Sequence, residues 1–296
     1  MAQLTNNPTK TRTIERLWFA DINRRFRELN VAIKEQLKRS QMIVNAFAMS
    51  IEQQRVFMAW LESKIEELFF TTDWQEQYQL QSYMRSLKRV RSDLISAGID
   101  LNLTEAEREI VRISDFDFSA RPSLVTQTLP TQAVHQDALE FLFSRSYDAL
   151  KTTTNKMSTT IRTELFDGVQ AGEGALEIAR RIAQRTEIGQ REAQRIARTE
   201  TIQAYQRSTI NEGERLSEET GETYKLVWIT ACDERVRKLH AAWHGTIMTP
   251  TKARKRINES PFNCRCGQRI VTESMLTEAK KAEWKKQRLA VQLLAS

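Results

Sequence analysis

The sequence predicts an α+β protein in which α-helix predominates: an N-terminal helical bundle followed by a helical module that carries a small β-sheet. Three observations predict it. Apolar residues recur at steps of three and four through much of the chain, which is one face of an amphipathic helix. Only 9 Gly and 5 Pro occur among 296 residues, so few positions demand a break. Runs of β-branched and aromatic residues gather only after Gly221. A chain of this length with 40% apolar residues can form one large domain or two modest ones.

The elements follow in order. Ile14, Leu17, Trp18, Ile22, Phe26, Leu29, Ile33 and Leu37 form the stripe of a first helix. A second stripe runs through Met42, Ile43, Phe47, Ile51, Phe57, Trp60, Leu61, Ile65, Leu68 and Phe69, and a third, weaker one spans Trp74 to Leu94. Thr104 with Glu107 three residues later reads as a capping box that starts a short helix towards Ile113. Pro122 and Pro130 bracket a polar loop.

A helix is expected from Thr131 to about Phe166, with a break near residues 151–160, where KTTTNKMSTT offers hydroxyls that compete for backbone hydrogen bonds. That break sets the expected domain boundaries: 1–155, 156–272 and a basic closing helix at 273–296. Gly168, Gly172 and Gly174 precede two further helices, Ala175 to Arg185 and Gln190 to Asn211, with a turn expected at Gly189. Strands are expected at Thr223 to Thr230, Thr246 to Met248 and Arg265 to Val271. Met275, Leu276, Ala279, Trp284, Leu289 and Leu293 mark the closing helix.

Charge is distributed unevenly. The formal net charge is +7, with 21 basic and 20 acidic side chains in residues 1–160 against 24 and 18 in residues 161–296. A basic balance suits a polyanion partner, and it equally suits a solvated surface. Arg180, Arg181, Arg185, Arg191, Arg195 and Arg198 recur along the helices, where Glu187 and Glu192 can neutralise them. Lys252, Arg254, Lys255 and Arg256 form a tight run read as a loop, and such a loop is the better candidate for phosphate contact without base readout. The start MAQLTNNPTK lacks the apolar stretch of a secretory signal, and the longest apolar runs are too short to span a bilayer. Synthesis in the cytoplasm and no membrane partner are expected.

The unusual side chains concentrate in one stretch: Cys232, Asp233, His240, His244, Cys264 and Cys266. On a strand, Cys264 and Cys266 would share a face with Arg265 on the other. On a helical turn, His240 and His244 would share a face. Cys232, His240, His244, Cys264 and Cys266 are therefore the candidate donors for one structural zinc, which takes four soft or borderline ligands. The plain alternative stands beside it: buried cysteines acting as small hydrophobes and histidines making ordinary hydrogen bonds. A Cys264–Cys266 disulfide sits near the limit of disulfide geometry. Glu200 falls on the apolar face of its helix, and a buried carboxylate needs a cation, for which Arg237 or Arg265 is expected.

Taken in order, Arg198-Thr199-Glu200, then Trp228, Asp233, Arg237 and His240, then Asn263-Cys264-Arg265-Cys266 resemble the phage Mu F-like, or SPP1-type, minor head protein family. Its members typically carry an Arg-Thr-Glu helix, a Trp-x-x-x-x-Asp-x-x-x-Arg-x-x-His segment and a terminal Asn-Cys-Arg-Cys. The resemblance covers roughly residues 165 to 272. It departs at Ser260-Pro261-Phe262, where many members carry a Pro-His or Pro-x-His pair, so in a metal site His244 would stand in for that histidine. The resemblance implies a minor capsid protein of a tailed bacteriophage that is not an enzyme. It would sit in the capsid interior near the portal and bind packaged double-stranded DNA non-specifically. A structural cluster of Arg198, Glu200, Asp233, Arg237, Asn263 and Arg265 would hold the module together, while the N-terminal bundle docks on portal, major capsid or scaffolding protein. Two alternatives are weighed against it. One is an enzyme, either a metal-dependent nuclease using Asp233, His240, His244 and Asn263 or a toxin-like transferase built on the Arg198 to Glu200 helix. The other is a cellular DNA-binding protein, for which no helix-turn-helix or zinc-finger spacing is present.

Overall fold

The computed structural model describes residues 7–43, 49–113, 132–259 and 262–295. Helices account for 75% of it, with one small antiparallel sheet, so the protein is the predominantly helical α+β structure that the periodicity predicts. Among the described residues the order is α1 (Arg12–Ile43), α2 (Ile51–Phe69), α3 (Glu76–Ser96), α4 (Glu105–Arg112), α5 (Ala133–Gln170) and α6 (Ala175–Thr220). There follow β1 (Lys225–Ile229), α7 (Lys238–Trp243), β2 (Ile247–Met248), α8 (Pro250–Glu259), β3 (Gly267–Val271) and α9 (Glu278–Leu294). The polar loop between Pro122 and Pro130, Phe47, and the Ser260-Pro261 pair lie outside the described residues, as do the side chains of Met42 and Ile43.

The chain divides into two compact units. One comprises Arg16–Gln75 and Ser144–Ala197, so it draws on α1, α2, the C-terminal part of α5 and the N-terminal part of α6. The predicted stripe of α1 is its core: Trp18, Ile22, Phe26, Leu29, Ile33 and Leu37 are buried, whereas Leu17 is exposed. Each such side chain removed from water contributes roughly 1.5–3 kcal/mol. Phe26 meets Phe69 of α2 edge-on at 5.0 Å between ring centres. Asn23 accepts from both Gln190 and Gln194 of α6, at 2.7 and 2.6 Å.

Two expected interruptions are absent. The Thr-rich stretch at 151–160 lies inside the unbroken α5. Its hydroxyls bond backwards to carbonyls of their own helix, Thr154 to Lys151, Thr159 to Asn155 and Thr160 to Lys156, at 2.9–3.0 Å, which satisfies them without freeing the backbone. Gly189 is likewise helical, within the 46-residue α6. A methyl group there would come within 2.8 Å of the Met157 sulfur, so the glycine serves close packing rather than a turn.

The other unit comprises Met1–Glu15, Glu76–Phe143 and Arg198–Ser296. Its sheet has the order β2-β1-β3, with Leu226 opposite Met248 and Ile270. Leu226 and Trp228 point to one face, where Val90, Leu94, Ile210, Ile257 and Ile270 pack with Cys264 and Cys266. Val227 points to the other, against Val271, Leu276 and Trp284 of α9. A central strand covered on both faces explains why residues 224–230 lack a polar alternation. The short helix foreseen at Thr104 is present with its reciprocal cap, Thr104 accepting from the Glu107 amide and Glu107 accepting from the Thr104 amide.

Candidate functional site

The segment between β1 and β3 carries the chemistry. After Ile229 the chain turns at Cys232, whose φ of 46° is left-handed, and Asp233 accepts the Arg235 amide at 3.1 Å. α7 then lasts six residues and ends at Trp243, and at its C-cap, His244, ψ of 130° turns the backbone extended. Gly245, at φ 67°, returns the chain to the sheet by donating to the Trp228 carbonyl at 2.7 Å.

That early helix end separates the two histidines. His240 and His244 do not share a helical face, and the five expected metal donors fall into two groups. His240 Nδ1 lies 3.5 Å from Cys264 Sγ and 3.4 Å from Cys266 Sγ, and all three residues are buried. Cys264 and Cys266 precede β3 rather than lying on it, but both sulfurs do face the core while Arg265 turns away. Trp243 stacks on the His240 ring at 4.9 Å and Trp228 meets it edge-on at 5.9 Å. The hydrogen bond from Cys266, helped by His240, holds the Cys264 thiol well below the ordinary cysteine range. Burial, reinforced by Cys264, pushes its partner up.

Cys232 and His244 form the second group. The Cys232 thiol donates to the Thr230 carbonyl at 3.3 Å and lies 3.8 Å from His244 Nδ1. That nitrogen already accepts from the Thr230 amide at 3.2 Å and lies 2.9 Å from its hydroxyl, so Nε2 carries the proton towards Gln287 Oε1 at 3.3 Å. Burial lowers the His244 pKa and raises that of Cys232. A neutral imidazole whose lone pair faces Thr230 is poorly placed to draw a proton from the thiol. The group borders a cavity of about 400 Å³ that Arg269, Lys280 and Glu283 also line.

The structural cluster is likewise resolved into separate contacts. Arg265 grips Asp233 with two bonds of 2.5 and 2.6 Å, and that pairing lowers the Asp233 carboxyl below its ordinary range. Arg237 donates to the Phe262 carbonyl at 2.7 Å, and Arg198 reaches Glu15 at 3.4 Å. Glu200 is buried as its helical position foretold, but both arginines expected to meet it are engaged elsewhere. Thr199 accepts the Asn263 amide at 3.2 Å. Asn263 itself sits at φ 64°, a conformation asparagine tolerates better than other side chains. The four residues of the nuclease alternative do not converge: Asp233 holds Arg265, His240 faces sulfur, His244 faces Thr230 and Asn263 forms the turn.

Several site residues carry no motif. Gln203 donates to the Ile257 carbonyl at 3.0 Å and Gln206 to the Cys266 carbonyl at 2.7 Å, so with Thr199 they present a polar row on α6 to the end of α8 and the segment before β3. Their spacing of four and three was the available signal. A buried ionic network was also missed. Arg91 bonds Glu212 at 2.7 Å and Glu107 at 3.1 Å, Arg215 bonds Glu212 at 2.8 Å, and His135 links Glu212 to the Tyr83 hydroxyl. Burial opposes ionisation of Glu212, but His135, Arg215 and Arg91 together hold its carboxyl far below the usual range.

The basic run at 252–256 lies on α8, not in a loop. Ala253 and Ile257 are buried and fix its inner face. Arg254 bonds Asn211 at 2.9 Å and also Glu214, while Arg256 covers the Trp243 ring at 4.7 Å and bonds Thr246. Lys252 and Lys255 are exposed. On α6 and α5, Arg181 and Arg185 both clasp Glu164, and Arg191 and Arg195 pair with Glu187 and Glu192, as a neutralised helix surface requires.

A long helix laid against a three-stranded antiparallel sheet, with a histidine and two cysteines buried beside it, defines a compact α+β module. Residues 159–269 match the family described as Phage Mu protein F like protein. Over that span the chain is similar to phage Mu F-like proteins, and the resemblance read from its motifs holds there. No curated protein and no solved structure matches the chain.

Proposed function

We propose that the protein is a minor capsid protein of a tailed bacteriophage, held inside the head near the portal, where it contacts packaged DNA without reading sequence and assists assembly or genome delivery. The observation that carries this reading is the family match over residues 159–269. Portal, major capsid or scaffolding protein would be the partners of the N-terminal helices. DNA contact is supported by the net charge of +7 and by exposed lysines on two helices, Lys252 and Lys255 on α8 and Lys280, Lys285 and Lys286 on α9. Among the described residues no helix is long and apolar enough to cross a membrane.

Mass spectrometry of purified particles, before and after DNA release, tests the proposal. A few copies per particle, retained or lost with the genome, is the expected result. Absence from mature particles and from their assembly intermediates would overturn it.

A further inference from the structure

Two thiols converge on one imidazole nitrogen. Cys264 Sγ and Cys266 Sγ stand 3.5 and 3.4 Å from the same His240 Nδ1, and the three donor atoms lie within 4.8 Å of one another. A neutral imidazole nitrogen offers one lone pair, which a single S–H bond would consume. A metal ion between the three would use every donor at once.

We propose that His240, Cys264 and Cys266 hold one zinc ion, with Cys232 and His244 outside the site. The distances agree with such an ion. Zinc takes sulfur at about 2.3 Å and imidazole nitrogen at about 2.05 Å, and tetrahedral angles then place sulfur and nitrogen about 3.5 Å apart. Charge agrees as well. Binding releases one proton from each thiol, so two thiolates balance the dication and the buried complex is neutral, which avoids the cost of an isolated charge in the core. Three protein donors leave the fourth tetrahedral position to a water-sized ligand. Two thiolates and an imidazole are soft enough to favour zinc over magnesium or calcium.

Location gives the ion a structural task. Cys264 and Cys266 lie beside β3, His240 lies on α7, and Trp228 of the central strand packs against the same imidazole. One ion would therefore pin the α7 turn to the segment that enters β3, a connection spanning 24 residues of sequence.

The test uses the full chain. Metal content should be about one zinc per chain, and the stripped protein loaded with cobalt(II) should show thiolate-to-cobalt charge-transfer absorption. Cys264→Ser, Cys266→Ser and His240→Asn should each lower zinc affinity at least tenfold, while Cys232→Ser and His244→Gln keep it. Removal of zinc should lower the melting temperature of the wild type and leave that of the His240→Asn variant unmoved. Wild-type protein that is folded by circular dichroism yet takes up neither zinc nor cobalt would overturn the proposal, even if the cysteine variants fail to fold. Equal loss of metal in Cys232→Ser or His244→Gln would overturn the three-residue assignment.

Discussion

Thr199 Oγ1 accepts the backbone N–H of Asn263 at 3.2 Å, and this bond ties the middle of α6 to the turn that aims Cys264 and Cys266 into the core. The turn needs φ of 64° at Asn263. Asn263→Gly should leave stability within a few tenths of a kcal/mol, whereas Asn263→Val should cost about 1–2 kcal/mol, because a β-branched side chain collides with its own backbone there. Thr199→Val should cost about 1 kcal/mol for the lost acceptor. Urea unfolding of the three variants checks the order. Equal loss in the glycine and valine variants would show that the asparagine side chain, rather than the backbone angle, is what matters.

Glu212 gives the strongest expected pH effect. Its folded-state carboxyl is held well below the unfolded value of about 4.3, so its contribution is fully present above that value and drains away as pH falls below it. Glu212→Gln removes that contribution and leaves Arg91 and Arg215 buried without their shared carboxylate, a change expected to cost about 3–5 kcal/mol near neutral pH. Stability measured from pH 7 down to pH 3 should fall more steeply in the wild type than in the variant. Parallel curves would mean that Glu212 is not the carboxylate being titrated.

That network also marks where sequence reasoning stops. Helices with one apolar stripe were legible, since Trp18, Ile22 and Phe26 need only their spacing to be placed in a core, and the Thr104–Glu107 cap needs only a local pair. Arg91, His135 and Glu212 leave no such trace, because a charged residue in a core position looks like one on a surface until its partners, 16, 77 and 121 residues away, are known. The same limit applied to the donor cluster. The motif brought Cys264, Cys266 and His240 to notice, but the end of α7 at Trp243, which sends His244 to Thr230, depends on the Gly245 return to β1. Gly189 misled because a glycine that permits close helix packing and one that permits a turn are the same letter.

Lysines and arginines of α8 should behave differently. Lys252→Glu with Lys255→Glu should leave the fold intact and weaken binding to any duplex DNA alike, reducing the slope of log affinity against log salt by about 2. Arg254→Ala should instead lower stability, since that guanidinium holds Asn211 and Glu214. Fluorescence anisotropy with unrelated duplexes across a salt series, with melting curves, separates the two effects. Unchanged salt dependence in the double-lysine variant would remove α8 from the DNA-contacting surface.

Gly245 should be the least replaceable glycine of the sheet unit. Its φ of 67° already disfavours a side chain by about 1–2 kcal/mol. Space forbids one too: an added methyl carbon would stand 2.6 Å from Trp284 Cβ and 3.2 Å from the Trp284 carbonyl, so α9 must shift to admit it. Trp284 covers Val227 and Val271 on the outer face of the sheet, and its displacement uncovers that face. Gly245→Ala should therefore cost more than the backbone penalty alone, about 3 kcal/mol or more with the packing loss included. Trp284→Ala made on the Gly245→Ala background should cost much less than Trp284→Ala alone, because the damaged contact is shared. Strict additivity of the two changes in a denaturation cycle would show that the helix and the turn respond independently.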